Sequence, residues 1–259
     1  MSTNLNPINL KHPIVLIHGL GARASYGPFE YFFGIPDLLR AAGNRVQNVN
    51  LTAWHTIETR AEELKEQIER AFPDGEKVNL IGHSMGGLDA RYATSKLGMS
   101  ERIASVTTIG TPNRGTRICD LGVKAVPVGA REAIEKIMGM IDSSHMGLEQ
   151  VSCKYHKETF SVEAPDAPGV AYFSATSVIR NPVYKTALPV FWISNQVIRL
   201  LEGENDGFVS EESSKWGQHI CTYVGDHYGQ IGQFLGRSRG LDHYQFFTDI
   251  ATRLHREGM

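Results

Sequence analysis

The run Val78-Asn79-Leu80-Ile81-Gly82-His83-Ser84-Met85-Gly86-Gly87 constrains the fold more than any other part of the chain. Four strand-forming residues lead into a glycine-bracketed serine, and a helical pattern from Leu88 to Leu97 follows, ending near Gly98. A G-x-S-x-G string carries meaning only in this strand–turn–helix setting. There the serine sits on a very tight turn with strained backbone angles. Gly82 and Gly86 are needed because a Cβ at either place would meet the neighbouring strand or helix. The turn lifts the Ser84 hydroxyl above the sheet edge, and the helix N-terminus behind it favours developing negative charge.

The flanking sequence supplies the sheet that such a turn requires. Ile14-Val15-Leu16-Ile17 reads as a strand buried on both faces, and Arg45 to Leu51 as a second strand. Thr56 to Phe72 has helical spacing, with Ala61, Leu64, Ile68 and Ala71 on one side. Ile103 to Ile109, Val170 to Phe173 and His219 to Val224 are further strands, and Tyr244 to His255 is a closing helix. Strands alternating with helices predict an α/β fold, a mostly parallel sheet with helices on both faces in a single domain. Ligands of such sheets bind beyond the C-terminal strand ends. From about 117 to 169 the strand signals stop. Ala130 to Ile141 is amphipathic, and the stretch is expected to be a helical lid inserted over the sheet edge.

Composition narrows the partners. The chain has 26 basic and 28 acidic residues and a net charge of -2, which argues against nucleic acid or an anionic membrane as the main partner. No apolar run reaches the ~18 residues of a membrane span. Met1 to Lys11 is polar and lacks the apolar core of a secretory signal. Cys119, Cys153 and Cys221 form no disulfide framework and no metal-ligand pattern, so one bridge and three buried thiols both stay open.

A serine hydroxyl needs an adjacent base and an oxyanion hole to act as a nucleophile. His18-Gly19-Leu20-Gly21 follows the first strand, where this arrangement supplies one oxyanion amide. The backbone N–H groups of Leu20 and Met85 are the candidate donors, with His18 ordering the loop. The acid should follow the serine and the histidine should come last. Asp206, in Asn205-Asp206-Gly207, is the candidate acid. His227, directly after the strand His219 to Val224, is the candidate base, with His243 as its competitor beside the closing helix. His83 is read as packing or bonding locally. These residues define an acyl-transfer constellation that needs no cofactor.

With these segments identified, the chain resembles the bacterial true lipases of the α/β-hydrolase superfamily, the Pseudomonas/Proteus-like group. The resemblance rests on Ile14 to Leu20, on Val78 to Ser84 with Ala90-Arg91-Tyr92, on Ala104 to Ile109, on Gly110-Thr111-Pro112-Asn113-Arg114-Gly115-Thr116, on Asn205 to Val209 and on Asp226-His227. It is weak over 119–200. It implies hydrolysis of lipid esters at an interface, a lid, secretion and a structural Ca²⁺ near the catalytic histidine. The sequence departs from the last two. No signal is visible, so a cytoplasmic place stays open. Gly229 stands where the family has an aspartate ligand, Tyr184 to Leu188 lacks the second, and only Gln233 matches, so the calcium site is expected to be absent. The apolar run Ala187 to Leu201 reads equally as an acyl pocket or as core. A short-chain carboxylesterase or acyl thioesterase is the alternative enzyme. A non-catalytic binding module on the same fold is the alternative of another kind.

Overall fold

Runs of Ile, Val and Leu at the predicted places form the central strands of a computed structural model. The structure describes residues 8–26, 29–121, 146–180, 186, 189–233 and 240–259. The strands are β1 (Ile14–Ile17), β4 (Val46–Asn48), β5 (Val78–His83), β6 (Ile103–Ile109), β7 (Ala171–Val178) and β8 (Gln218–Val224). They make one sheet in the order β4-β1-β5-β6-β7-β8, and every neighbouring pair is parallel. A two-residue ladder, β2 (Ser25–Tyr26) with β3 (Phe29–Glu30), stands apart.

Register brings the chemistry to one edge. Ile17 pairs with Gly82, His83 with Ile109, Ile109 with Ala175, and Val178 with Val224. The residues that follow β1, β5, β6, β7 and β8 therefore leave the sheet on the same side. The helices bury their apolar faces on the two sheet surfaces. Leu64 and Ile68 of α2 (Ile57–Ala71) and Leu88 of α3 (Met85–Ser95) pack with Val15, Ile17, Leu80 and Val106. Phe246, Phe247, Ile250 and Leu254 of the C-terminal helix His243–Arg256 pack on the other face with Ile14, Leu16 and Ile81. A side chain of this size, fully buried, contributes about 1.5–3 kcal/mol.

The structure departs from the sequence reading at several elements. Helix α3 starts at Met85, not Leu88, because the turn at Ser84 opens directly into it and Gly86 and Gly87 are required by contact with β1 and Thr111. Strand β7 runs on to Val178, through Ser174, Thr176 and Ser177, polar residues buried among hydrogen-bonding neighbours. Helix α1 (Ile35–Ala41) was not anticipated. Pro36 resembles a breaker but sits in the first turn, where no amide is needed. As expected, the described part of 117–169 is largely helical: α4 (Arg117–Leu121), Met146–Glu149, and a run with a π-helical turn at His156–Phe160 between Cys153–Tyr155 and Ser161–Glu163. The predicted helix Ala130 to Ile141 lies outside the described residues. All three cysteines are free. Among the described residues no helix is long and apolar enough to cross a membrane.

Candidate active site

Ser84 has φ 55 and ψ -130, the only non-glycine with positive φ among the described residues. From Val78 to Thr94 every other residue is buried, and Ser84 alone is partly exposed. The strain is enforced by packing. A Cβ on Gly86 would press on the main-chain oxygens of Ile17 and His18, and one on Gly82 would collide with Gly86 and Gly87. The oxyanion-loop candidate lies against the serine, since a Cβ on Gly19 would come within 2.9 Å of Ser84 Cβ. Neither the Leu20 nor the Met85 amide takes part in a turn or loop hydrogen bond among the described residues. The first amides of a helix have no intrahelical acceptor, so Met85 N is free to meet a ligand.

The candidate acid and base meet. His227 Nδ1 lies 2.7 Å from Asp206 Oδ2, and both residues are buried. Asp206 accepts three further hydrogen bonds: from Phe208 N (2.9 Å) and Val209 N (2.8 Å) on Oδ1, and from Gln230 Nε2 (3.0 Å) on Oδ2. Four donors fill the acceptor capacity of a carboxylate and hold it in one orientation. The pairing fixes the proton of a neutral His227 on Nδ1 and leaves Nε2 as the basic nitrogen. No hydrogen bond joins Ser84 Oγ to His227 among the described residues; apo sites often hold this contact loose until substrate tightens it. His243 sits elsewhere, buried at the start of its helix with its ring over Gly232 and against Tyr244.

Sequence reasoning left His83 as a local contact, and the structure gives it a larger part. Its Nδ1 receives the Tyr31 hydroxyl at 2.7 Å, and its Nε2 donates to the His227 carbonyl at 3.1 Å. The same hydroxyl accepts the Gly19 amide at 3.1 Å. His83 thus ties the oxyanion loop to the histidine loop. Burial, reinforced by the neighbouring His227, holds His83 well below the ordinary histidine range, so it is a neutral connector.

The oxyanion loop is further held by a buried ion pair. Arg60 of α2 lies 2.8 Å from Asp89 of α3, both wholly buried, and donates to the carbonyls of Thr52 and His18, each at 2.8 Å. His18 itself donates from Nδ1 to the Gly19 carbonyl and accepts the Leu51 amide on Nε2. Burial, with Arg60 nearby, depresses its pKa to about 3. Burial pushes the Asp89 carboxyl up to about 6, against the pull of Arg60. Neither the Arg60–Asp89 pair nor the Tyr31 bridge had a local sequence signal, because they join residues 29 positions apart in the pair and 12 and 52 positions apart in the bridge.

Gly229 brings no carboxylate, its amide is given to Asp226 Oδ1 at 2.7 Å, and Gln233 Nε2 is bonded to the carbonyls of Glu30 and Tyr31. The stretch Tyr184 to Leu188 is described only at Thr186.

Comparison with known proteins agrees with this architecture. A family profile described as the alpha/beta hydrolase fold matches residues 12–134. A triacylglycerol lipase of Pseudomonas fragi is 29% identical over 97% of this chain and 99% of its own length. One from Burkholderia plantarii is 27% identical over 95% of this chain and 86% of its own. Among solved structures, the mature Bacillus licheniformis lipase BlEst2 superposes with TM-score 0.73 at 20% identity, covering 93% of this chain and 95% of that one. The Staphylococcus hyicus lipase superposes with TM-score 0.71 at 18% identity, covering 97% and 98%. The chain has the α/β-hydrolase fold and is similar over nearly its whole length to bacterial triacylglycerol lipases.

Proposed function

We propose that the chain hydrolyses carboxylic esters through a Ser84 acyl-enzyme, and that triacylglycerols are its substrate class. The observation that carries the reading is the 2.7 Å contact between His227 and Asp206 at the edge where Ser84 stands on its strained turn. His227 Nε2 takes the Ser84 proton as Oγ attacks the ester carbonyl. Asp206 keeps the imidazole oriented and stabilises the imidazolium. The Leu20 and Met85 amides receive the oxyanion, each lowering the barrier by about 3 kcal/mol. His227 then protonates the departing alcohol, and water activated by the same nitrogen clears the acyl group. No step needs a metal or cofactor, and the donors near His227 favour the reading that the family's calcium is not used.

The surroundings favour an apolar acyl chain at a lipid–water interface. Phe208 is partly exposed with its ring 5.3 Å from that of His227, and Phe191 packs against it at 5.5 Å. The helix Pro189–Glu202 buries Phe191 and Ile198 but exposes Ile193, Leu200 and Leu201. The same reading makes 117–169 a cover: a Cβ on Gly147, within that stretch, would lie 2.8 Å from the Leu20 side chain. Hydrolysis of p-nitrophenyl esters from acetate to palmitate tests the substrate. A maximum at long chains is expected, and a maximum at acetate or butyrate would replace lipase by carboxylesterase. Ser84→Ala should abolish turnover and fluorophosphonate labelling. A wild-type protein that refuses the label would be a binding module instead.

A further inference from the structure

The loop Gly110-Thr111-Pro112 after β6 carries part of the family resemblance, yet no step above uses it. Gly110 has φ 51, and a Cβ there would collide with the Oε1 of Gln230. Gln230 is fully buried. Its two amide hydrogens are both engaged, by Asp206 Oδ2 at 3.0 Å and by Ser177 Oγ at 2.8 Å. Ser177 passes its own hydrogen to the carbonyl of Asp226, beside His227. The Gln230 carbonyl, by contrast, makes no well-formed hydrogen bond and has only a weaker interaction with the His83 side chain. A buried amide that leaves its oxygen poorly satisfied is held against a free-energy cost, and here what it gains is the placing of its donors. One of them meets the very oxygen that receives His227.

We propose that Gln230, seated in the space left by Gly110, is a positioning residue that sets the direction and charge of the Asp206 carboxylate toward His227. The inference rests on the reading of Asp206 and His227 as acid and base. A donor on Oδ2 draws negative charge away from the imidazole and fixes the plane of the carboxylate. Without it, Asp206 presents more charge to His227 Nδ1, and the pair binds a proton at higher pH, whichever group carries it. The other titratable groups packed on the pair are His83 at the end of β5, Asp226, whose side chain turns to Gly229 N, and Tyr228. None of them is altered in the variants below.

The experiment is the pH profile of kcat/KM for p-nitrophenyl esters with Gln230→Met, which keeps the volume and removes the donor. The acid limb should move up by about one pH unit, so that activity on that limb falls about tenfold while the alkaline plateau changes less. Gly110→Ala, which pushes the amide away while retaining Gln230, should move the limb in the same direction. It also serves if thermal unfolding shows Gln230→Met to be misfolded. A limb that stays at the wild-type position in the folded variants, whatever happens to the plateau, overturns the proposal and leaves Gln230 as packing. Failure of the underlying reading looks different: Ser84→Ala would keep its activity, or Asp206→Asn would leave the profile unchanged.

Discussion

The two flanks of Ser84 are built on different principles. On the acid–base flank, a carboxylate is satisfied by donors from its own neighbourhood: the amides of Phe208 and Val209, the Gln230 side chain and His227. On the oxyanion flank the working groups are main-chain amides, and remote side chains hold them in place. Arg60 reaches His18 O from α2, and Tyr31 reaches Gly19 N from beside β3. The first flank stores charge where the chemistry happens. The second stores it in the Arg60–Asp89 pair under the loop, where it fixes a backbone. Substitutions on the first flank should therefore cost rate with little stability, and substitutions on the second should cost stability first.

The strongest way to break this contrast is Asp206→Asn. An amide in place of the acid selects the wrong imidazole tautomer, and kcat should fall by about 10⁴ with KM little changed. The backbone amides that now meet Oδ1 still find an oxygen, so the melting temperature should stay close to wild type. Steady-state kinetics with a thermal melt reads both quantities. A collapse of the melt would show that the acid is as structural as Arg60, and the two flanks would no longer differ in kind.

On the other flank, Arg60→Met should lower stability by about 3–5 kcal/mol, since Asp89 is then a buried carboxylate without its cation. Activity per folded molecule should drop less than for Asp206→Asn. The double change Arg60→Met with Asp89→Leu should restore much of the stability, because replacing both members of a buried pair by apolar groups is often close to neutral. Urea denaturation of the three proteins decides it. If the double variant is as stable as wild type but turns over as slowly as Arg60→Met, the pair serves the oxyanion loop and not the fold.

The same contrast governs how much the sequence disclosed. Ser84, Asp206 and His227 each sit beside a local signal, a G-x-S-x-G turn, an Asn-Asp-Gly turn and a strand end, and the structure brings Asp206 and His227 together. Strands β1 and β6 were legible to the residue, because continuous apolar runs admit few readings. The supports were not legible. Tyr31, Arg60, Asp89 and Gln230 look like surface or turn residues in the sequence, and only the parallel register collects them under one edge. Helix α1 was hidden behind Pro36, and the last residues of β7 behind Ser174, Thr176 and Ser177, since polar residues in a fully buried strand break the apolar pattern. In each case tertiary hydrogen bonding overrode the local preference.

Tyr31→Phe sharpens the comparison at the point where the flanks join. Its hydroxyl serves Gly19 N on one side and, through His83, the His227 carbonyl on the other. Loss of the hydroxyl should cost about 1–3 kcal/mol, shared between stability and transition-state binding, because two buried groups lose a partner. Combining it with His83→Asn, which removes the donor to His227, should cost less than the sum of the two. Additive losses measured on kcat/KM would mean that the bridge is two unrelated contacts.

The smallest effect is in the pH dependence of stability, and it comes from the buried neutral histidines. Burial depresses His18 and His156 from 6.5 to about 3, and His83 well below 6.5. For a base with a lowered folded pKa, the unfolded chain binds the proton first. The stability that His18 and His156 contribute is whole above pH 6.5 and drains away as pH falls toward about 3, and that of His83 is lost in the same direction. Asp89 acts the other way, because its carboxyl is raised from 3.8 to about 6 and the folded state binds that proton first. His156 lies away from both flanks, between Tyr155 and Phe160. His156→Leu should therefore lower the slope by about one proton, about 1.4 kcal/mol per pH unit, while the kcat/KM profile stays in place. Urea titrations at several pH values check the first part, and a slope equal to wild type would mean that His156 keeps its proton in the fold.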